Sequence, residues 1–83
     1  MKTIELEDLV RVMRNVFNAP KADITRESTS KTVLGWDSIA HVILMLEIEE
    51  ELGVAVTPQE AASMTNVGEL LDELRRRQES ATP

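Results

Sequence analysis

Residues 34–53 decide the fold, and they read LGWDSIAHVILMLEIEEELG. Asp37 is a favoured helix N-cap, because its carboxylate can accept hydrogen bonds from first-turn amides that have no partner inside the helix. Gly53 supplies a C-cap, since glycine readily adopts the left-handed conformation that ends many helices. The stretch therefore predicts a helix that is capped by Asp37, begins at Ser38 and runs to about Leu52.

This helix is apolar around most of its circumference, whereas a surface helix is usually apolar along one stripe. Its apolar residues are Ile39, Val42, Ile43, Leu44, Met45, Leu46 and Ile48. A bundle this small cannot enclose such a helix on every side, so we expect one or two of Ile43, Leu44 and Leu46 to be exposed. The alternative is that they all pack against neighbouring helices and the loop.

Three further helices are predicted around this one. Apolar residues recur every three or four positions from Thr3 to Asn18, which predicts a first helix that ends before Pro20. The sequences TPQE (residues 57–60) and NVGE (residues 66–69) have the pattern of capping boxes, and they begin a short third helix and a fourth helix. Residues 19–36 form a long polar loop, which a few apolar side chains pin to the core.

The predicted fold class is therefore all-α, a small four-helix bundle of three principal helices and one short helix, with no strand. We assign residues 1–78 to a single domain, since 83 residues leave no room for a second core. Residues 79–83 are predicted to be a disordered tail. Arg75, Arg76 and Arg77 suit the negative C-terminal end of the last helix.

Charge is distributed unevenly along the chain. Formal net charge is −6, and residues 37–74 hold nine Asp or Glu and no Lys or Arg. Such a block repels phosphate backbones and attracts basic patches on proteins, so we expect protein partners and no nucleic acid. The alternative is that the carboxylates only keep a small domain soluble. Without cysteine, a signal peptide pattern or an apolar run of about 20 residues, the sequence predicts a cytoplasmic protein with no membrane contact. We also expect the protein to be a monomer.

Catalytic interpretations are unfavourable. Asp37, Ser38 and His41 are the residue types of a hydrolytic triad, but they crowd one helical turn and cannot align as aspartate, histidine and serine. The four glutamates between Glu47 and Glu51 lie on a helix rather than in a calcium-binding loop. We therefore expect a chain that is not an enzyme and binds no metal.

The order of motifs resembles the acyl carrier protein family over nearly the whole chain. The resemblance is carried by LGWDSI (residues 34–39), the apolar helix, EEELGV (residues 49–54) and VGELL (residues 67–71). It implies that Ser38 is esterified with 4′-phosphopantetheine from coenzyme A by a phosphopantetheinyl transferase. The thiol of this arm would hold an acyl, aminoacyl or peptidyl cargo as a thioester and present it to loading and transfer enzymes.

The same resemblance suggests roles for other residues. Asp37 would serve both as the helix cap and in recognition by the transferase. Trp36 could contact the arm or a partner, or it could anchor its loop. His41 could hydrogen-bond the phosphate when protonated, or it could be exposed and have no role. Partner recognition would fall to the second helix, through Ile39, Ile43, Leu46, Glu47 and Glu50. Carriers of primary fatty acid synthesis are usually acidic two and five residues after the serine, where this chain has Ala40 and Ile43, which favours partners from a specialised pathway.

Two questions stay open at this level. An unmodified acidic adaptor that binds basic protein surfaces through its second helix is the alternative to a carrier. Within the carrier interpretation, a long acyl chain would need an apolar pocket lined by residues such as Met45 and Ile48, whereas an aminoacyl group could stay outside.

Overall fold

Four helices form the described part of the chain, residues 3–80, in a computed structural model. They are α1 (Leu6–Val16), α2 (Ser38–Leu52), α3 (Pro58–Ala62) and α4 (Val67–Ser80), and residues 3–80 contain no strand. The predicted all-α bundle of three principal helices and one short helix is confirmed. No helix within residues 3–80 is long and apolar enough to span a bilayer.

The caps of α2 and α3 are the ones that the sequence predicted. The Asp37 carboxylate accepts from the amide of Ala40 at 2.8 Å, and Gly53 ends the helix at φ 75°, donating its N–H to the Glu49 carbonyl. At α3, Thr57 and Glu60 exchange backbone-to-side-chain hydrogen bonds of 3.0 and 3.1 Å. Local hydrogen-bonding chemistry therefore fixes both ends of α2, and with them the position of Ser38.

Helix α1 is shorter than the predicted span from Thr3 to Asn18. It begins after Glu5, whose N–H donates to the Asp8 carboxylate at 2.9 Å, and it ends at Val16. Asn18 has a left-handed φ of 53°, and the amide of Ala19 donates to the Arg14 carbonyl at 2.9 Å. This Schellman arrangement closes the helix before Pro20 can act on it.

The core lies between α1, α2 and α4. Helix α1 buries Leu9 and Met13, α2 buries Leu44 and Ile48, and α4 contributes Val67, Leu70, Leu71 and Leu74. Of the three larger apolar residues of the long loop, Ile24 and Val33 are buried and pin it to the core, whereas Leu34 is exposed. The Ser28 and Arg26 carbonyls of the loop accept from the Val67 and Gly68 amides at the start of α4. The loop is thereby held to the bundle along its length.

Helix α4 corrects two predictions. It continues through Ser80, so Glu79 and Ser80 are helical rather than part of a disordered tail; residues 81–83 lie outside the described part of the chain. Its predicted capping box is only half formed, because Asn66 accepts from the Glu69 amide but the Glu69 carboxylate accepts from Thr65 instead of Asn66. The N-terminus of α4 is capped all the same.

The arginines near the end of α4 tie it to other elements. Arg75 donates to the Ile4 carbonyl at 2.7 Å, ahead of α1. Arg77 donates to Glu60 of α3 and to Glu73 of α4, both at 2.6 Å, and to the Ala55 carbonyl at 3.0 Å. Of the three arginines, Arg77 alone lies in the last turn of α4, and Arg76 pairs with Glu73 of the same helix.

Candidate functional site

Ser38 is the first residue of α2, and it is exposed. The helix is 15 residues long, and its first amides point out of its N-terminal end without acceptors inside the helix. Those amides and the helix dipole give this end a partial positive charge, which stabilises an anion attached there. The hydroxyl of Ser38 is therefore open to a modifying enzyme and placed where a phosphodiester is tolerated.

Asp37 holds this end of the helix in place. Its Oδ1 accepts from the amide of Ala40, and its carbonyl accepts from the amide of His41 at 2.9 Å. The carboxylate is thus engaged by an amide of the first turn of α2. Capping is the role that the structure gives to Asp37, and its side chain remains exposed.

Trp36 anchors the loop that leads into the helix. Its ring is half-buried and stacks on Phe17, with 5.4 Å between ring centroids and 27° between planes. Gly35 makes this approach possible: it has φ 94°, and a Cβ at that position would lie 3.2 Å from the Phe17 carbonyl oxygen. Of the two roles considered for Trp36, the anchoring role is the one that these contacts support.

His41 is half-buried, and both of its ring nitrogens are occupied. Its Nδ1 accepts from the Trp36 indole N–H at 3.1 Å, and its Nε2 lies 3.0 Å from the Pro58 carbonyl oxygen at the start of α3. The two rings are close to parallel, with 19° between planes and 6.2 Å between centroids. The interpretation of His41 as an exposed, idle side chain is therefore wrong. It has no nitrogen free for a phosphate in this arrangement.

A cleft opens beside Ser38, between the start of α2, the loop and α3. Its volume is about 420 Å³. Residues from these elements and from the start of α4 line it: Thr29, Ser30, Trp36, Asp37, Ser38, His41, Ala61, Ala62, Met64, Thr65, Asn66 and Leu70. All four residues that the sequence assigned to the cofactor, from Trp36 to His41, thus border one space.

Helix α2 carries an exposed apolar stripe, which we define as Ile39, Val42, Ile43 and Leu46. Ile39 is 74% exposed and Leu46 is 61% exposed, whereas Leu44 is fully buried. The expectation that one or two of Ile43, Leu44 and Leu46 would be exposed is confirmed, and the alternative of complete packing is wrong. Met45 and Ile48, which an acyl pocket for a long chain would need, are buried in the core, and the question of cargo stays open.

The acidic residues of α2 lie on two sides of the helix. Glu50 is exposed and follows Ile39, Ile43 and Leu46 at helical spacing, so it lies on the same helix face as the apolar stripe, at its C-terminal end. Glu47 is only half-exposed and borders a groove against α1 that also contains Leu6 and Arg11. The predicted recognition set of Ile39, Ile43, Leu46, Glu47 and Glu50 is thus divided, with Glu47 on another face.

Two exposed apolar residues near Ser38 were not among the predicted site residues. Val42 belongs to the stripe, and its spacing from Ile39 and Leu46 could have revealed this. Leu34 is 93% exposed in the loop, four residues before Ser38. No periodic pattern exists in that loop, so the sequence carries no signal for the orientation of Leu34.

Comparisons with known proteins agree with this geometry. The sequence model of a family described as "Phosphopantetheine attachment site" matches residues 7–74. The chain is 37% identical over 62 residues to "Acyl carrier protein MbtL" of Mycobacterium sp. (strain MCS), covering 75% of this chain and 70% of that protein. It is 33% identical over 63 residues to "Acyl carrier protein MbtL" of Mycolicibacterium paratuberculosis, covering 76% and 71%.

A third relative has a more general name. "Acyl carrier protein" of Helicobacter pylori (strain G27) is 32% identical over 65 residues, which cover 78% of this chain and 83% of the relative. No solved structure matches the chain significantly. The similarity therefore extends over most of the bundle, from α1 to α4.

Proposed function

Because the chain belongs to the acyl carrier protein family, whose members carry a covalently attached 4′-phosphopantetheine, we propose that Ser38 is the residue that bears this arm. The observation that supports the proposal most directly is the position of Ser38, exposed at the N-terminus of α2 and beside the cleft. The unmodified adaptor finds no support in the family match. Acyl carrier proteins in general interact with phosphopantetheinyl transferases and acyl-transfer enzymes.

The residues around Ser38 fit the group. A phosphodiester on its hydroxyl carries one negative charge, which the positive end of α2 stabilises. The Asp37 carboxylate, which would repel that charge, accepts from the Ala40 amide and is directed toward the helix. The cleft beside the hydroxyl combines apolar Met64 and Leu70 with a polar rim, a lining that suits an arm with both amide and alkyl parts.

The proposed modification transfers one group. The Ser38 hydroxyl oxygen bonds to the phosphorus that bears the pantetheine in coenzyme A, the pyrophosphate bond breaks, and adenosine 3′,5′-bisphosphate leaves. The hydroxyl proton passes to a base of the transferase. Once bound, the arm supplies a thiol that holds cargo as a thioester, and this chain orients the arm through α2.

We further propose that the apolar stripe is the docking surface for partner enzymes. Four exposed aliphatic side chains on one helix face form a patch that usually marks a contact site. Glu49, Glu50 and Glu51 follow the stripe, and no Lys or Arg occurs in residues 37–74. A fitting partner therefore presents an apolar socket with basic residues at its rim.

The composition of this surface supports partners from a specialised biosynthetic pathway. Ala40 and Ile43 replace the acidic residues that are usual in carriers of primary fatty acid synthesis, and Ile43 is exposed on the stripe. Two of the relatives named above are MbtL proteins, and the third is a carrier with a general name. The mass of cargo on protein purified from its own host tests this, because it distinguishes a primary fatty acyl group from another acyl or aminoacyl group. Cell fractionation tests the cytoplasmic location, which is part of this proposal.

Intact-mass measurement tests the attachment site. Incubation with coenzyme A and a broad-specificity phosphopantetheinyl transferase should raise the mass of the protein by one phosphopantetheine, and Ser38→Ala should abolish the gain. Ser63→Ala is the matched control, because Ser63 is also exposed but lies at the end of α3; it should still be modified. A full gain of mass in Ser38→Ala would overturn the assignment.

A further inference from the structure

The backbone turns sharply just before α2. The Trp36 amide donates to the Val33 carbonyl at 3.3 Å, which closes a four-residue β-turn. Gly35, the third residue of the turn, has φ 94°, whereas Leu34 before it has a negative φ. A negative φ at the second position and a positive φ at the third are the type II pattern, which favours glycine at the third position. Leu34 therefore occupies the outer corner of a tight turn.

Both legs of this turn are fixed to the bundle. Val33 is buried in the core, and Trp36 stacks on Phe17. Gly35 passes so close to Phe17 that a Cβ on it would lie 3.2 Å from the Phe17 carbonyl oxygen. Leu34 lies between these anchors and is 93% exposed. Its side chain is thus held in water by its neighbours, because it could turn inward only if one leg of the turn left the bundle.

The position of Leu34 relative to Ser38 brings it within reach of any enzyme that acts on the serine. Among the described residues, Leu34 and Ile39 are the two most exposed large apolar side chains, and they precede and follow Ser38 in the chain. Four residues span at most about 14 Å, which limits the distance from the Cα of Leu34 to that of Ser38. A standard interface covers about 800 Å² of each partner, equivalent to a disc of about 16 Å radius. An interface centred on Ser38 therefore extends as far as Leu34.

We propose that Leu34 is an anchor for the phosphopantetheinyl transferase, which receives this side chain in an apolar depression with an acidic residue at its edge. The inference rests on the proposed attachment at Ser38 and deepens it, because it names a contact that the modifying enzyme makes outside α2. Leu34 touches no reacting atom. It is a positioning residue that binds the enzyme and orients the Ser38 hydroxyl toward coenzyme A.

The transferase is the occupant that the reaction itself requires. It forms a bond to the Ser38 oxygen, so its active site has to close around the first residue of α2. Enzymes that load or remove cargo act at the thiol, at the far end of a long arm, and can do so without covering the turn. A turn that is already ordered also loses little conformational entropy when an enzyme binds it. Leu34 therefore suits an enzyme that works directly at the serine.

The charge beside Leu34 is opposite to that of α2. Lys31 is the one charged side chain in residues 28–36, and it is exposed. It borders, with Leu34, a shallow hollow of about 400 Å³ that residues 30–37 line. No ion pair in the described part of the chain involves Lys31, and the Asp37 carboxylate at this hollow already accepts from an amide of α2. An acidic residue of the enzyme fits here, whereas the glutamates of α2 favour basic ones.

Modification kinetics test the anchor. Wild type, Leu34→Ser and Leu34→Met are compared in the intact-mass assay with coenzyme A and the broad-specificity transferase. Truncation of an anchor side chain weakens binding about fivefold or more, so Leu34→Ser should raise the KM for the carrier by that factor and leave kcat nearly unchanged. Leu34→Met keeps an apolar side chain of similar volume, and its KM should stay within about twofold of wild type. A wild-type KM in Leu34→Ser would overturn the proposal.

Two controls separate a lost contact from a disturbed structure. Because Leu34 is almost fully exposed, Leu34→Ser should unfold in urea at the wild-type midpoint. A lower midpoint would identify Leu34 as a structural residue and count against the anchor. Lys21→Ser is the matched control, since Lys21 is exposed on the same long loop but lies outside the turn, and its KM should not change. An equal rise in KM in Lys21→Ser would refute the assignment to the turn.

Charge reversal tests the acidic edge of the depression. Lys31→Glu should raise the KM more than Lys31→Ala does, because it replaces an attraction with a repulsion. The difference between the two variants should shrink as salt is added, since salt screens exposed charges. Equal KM values for the two variants at low salt would refute the acidic edge.

The anchor and the attachment site fail in different experiments. If the arm is attached elsewhere, Ser38→Ala gains the full mass, whatever the KM of Leu34→Ser. If Ser38→Ala gains no mass while Leu34→Ser is modified like wild type, the attachment site stands and the anchor is wrong.

Discussion

Leu44 and Leu46 provide an internal comparison, since they are the same side chain two positions apart on α2. Leu44 is fully buried and Leu46 is 61% exposed. Leu44→Ala should lower the free energy of unfolding by about 3 kcal/mol, a typical cost for a buried leucine with its cavity. Complete burial of leucine is worth about 2 kcal/mol, so the two fifths of Leu46 that are covered account for about 0.8 kcal/mol.

Urea unfolding followed by circular dichroism measures both changes. A domain of this size has a total stability of about 4 to 12 kcal/mol, and a urea slope near 1 kcal/mol per molar is typical of small domains. The midpoint should therefore fall by about 3 M in Leu44→Ala and by less than about 1 M in Leu46→Ala. Equal shifts in the two variants would mean that the rotation of α2 about its axis is not the one described.

Leu46→Ala also tests the docking surface. Truncation of a central interface side chain costs more than about 1 kcal/mol of binding, so Leu46→Ala should lower kcat/KM for modification or cargo transfer about fivefold or more. Gln59→Ala is the control, because it shortens an exposed side chain outside the apolar stripe. Leu46→Ala with unchanged kcat/KM toward every partner would refute the assignment of the stripe to docking.

Three further predictions concern stability. Asp37→Ala should lose a cap worth about 1 kcal/mol in urea unfolding, while Asp37→Asn should lose much less, and equal losses would argue against the cap. Gly53→Ala should cost about 1 kcal/mol from its left-handed φ alone, since nothing lies within 4 Å of the added Cβ; an unchanged midpoint would contradict this. The hydrogen bond from Arg77 is the largest of the effects that lower the pKa of Glu60 from its ordinary 4.5 to about 2. The stabilisation from the Arg77–Glu60 pair is therefore fully present above pH 4.5 and is lost as the pH falls toward 2. Thermal scans over that range should show a smaller acid loss in Glu60→Gln, and an equal loss would exclude this pair as a cause.

The parts of the fold that the sequence predicted are those fixed by neighbours along the chain. Asp37, Gly53 and Thr57 act within four residues of themselves, so their caps follow from residue type and spacing. The exposure of Ile43 and Leu46 also followed from sequence, because a small bundle has too few helices to surround α2. The ends of a helix can thus be predicted from the sequence where the contacts that set them join residues close together along the chain.

The end of α1 shows where local interpretation fails. Pro20 is a strong stop signal, but the helix closes earlier, because Asn18 takes a left-handed conformation that asparagine tolerates better than most residues do. Glu5, a weaker cap than serine, threonine or aspartate, begins the helix through its exchange with Asp8. Glu5 and Asn18 therefore set the two ends of α1, although Pro20 is the stronger stop signal in the sequence.

The remaining features depend on contacts between distant parts of the chain. Nothing in the order of residues places the Pro58 carbonyl over His41, 17 positions away, or Arg77 over Glu60, also 17 positions away. These contacts exist because α3 folds back between α2 and α4. A sequence without an internal repeat gives no period from which such a meeting could be inferred, so the His41–Pro58 hydrogen bond and the Arg77–Glu60 ion pair could not be predicted from it.

Helix α2 packs one face into the core and exposes another, apolar face to water, and the charge at its end affects which partners that exposed face favours. Its buried face, with Leu44 and Ile48, completes a core that 83 residues could not otherwise fill, while its other face leaves the apolar stripe in water. An exposed aliphatic patch favours self-association. The glutamates that end the helix belong to a block with no basic residue, so two copies that meet through their stripes bring like charges together, whereas a partner with a basic rim lowers the same free energy. The acidic end therefore converts a surface that would attract any apolar partner into one that selects among them.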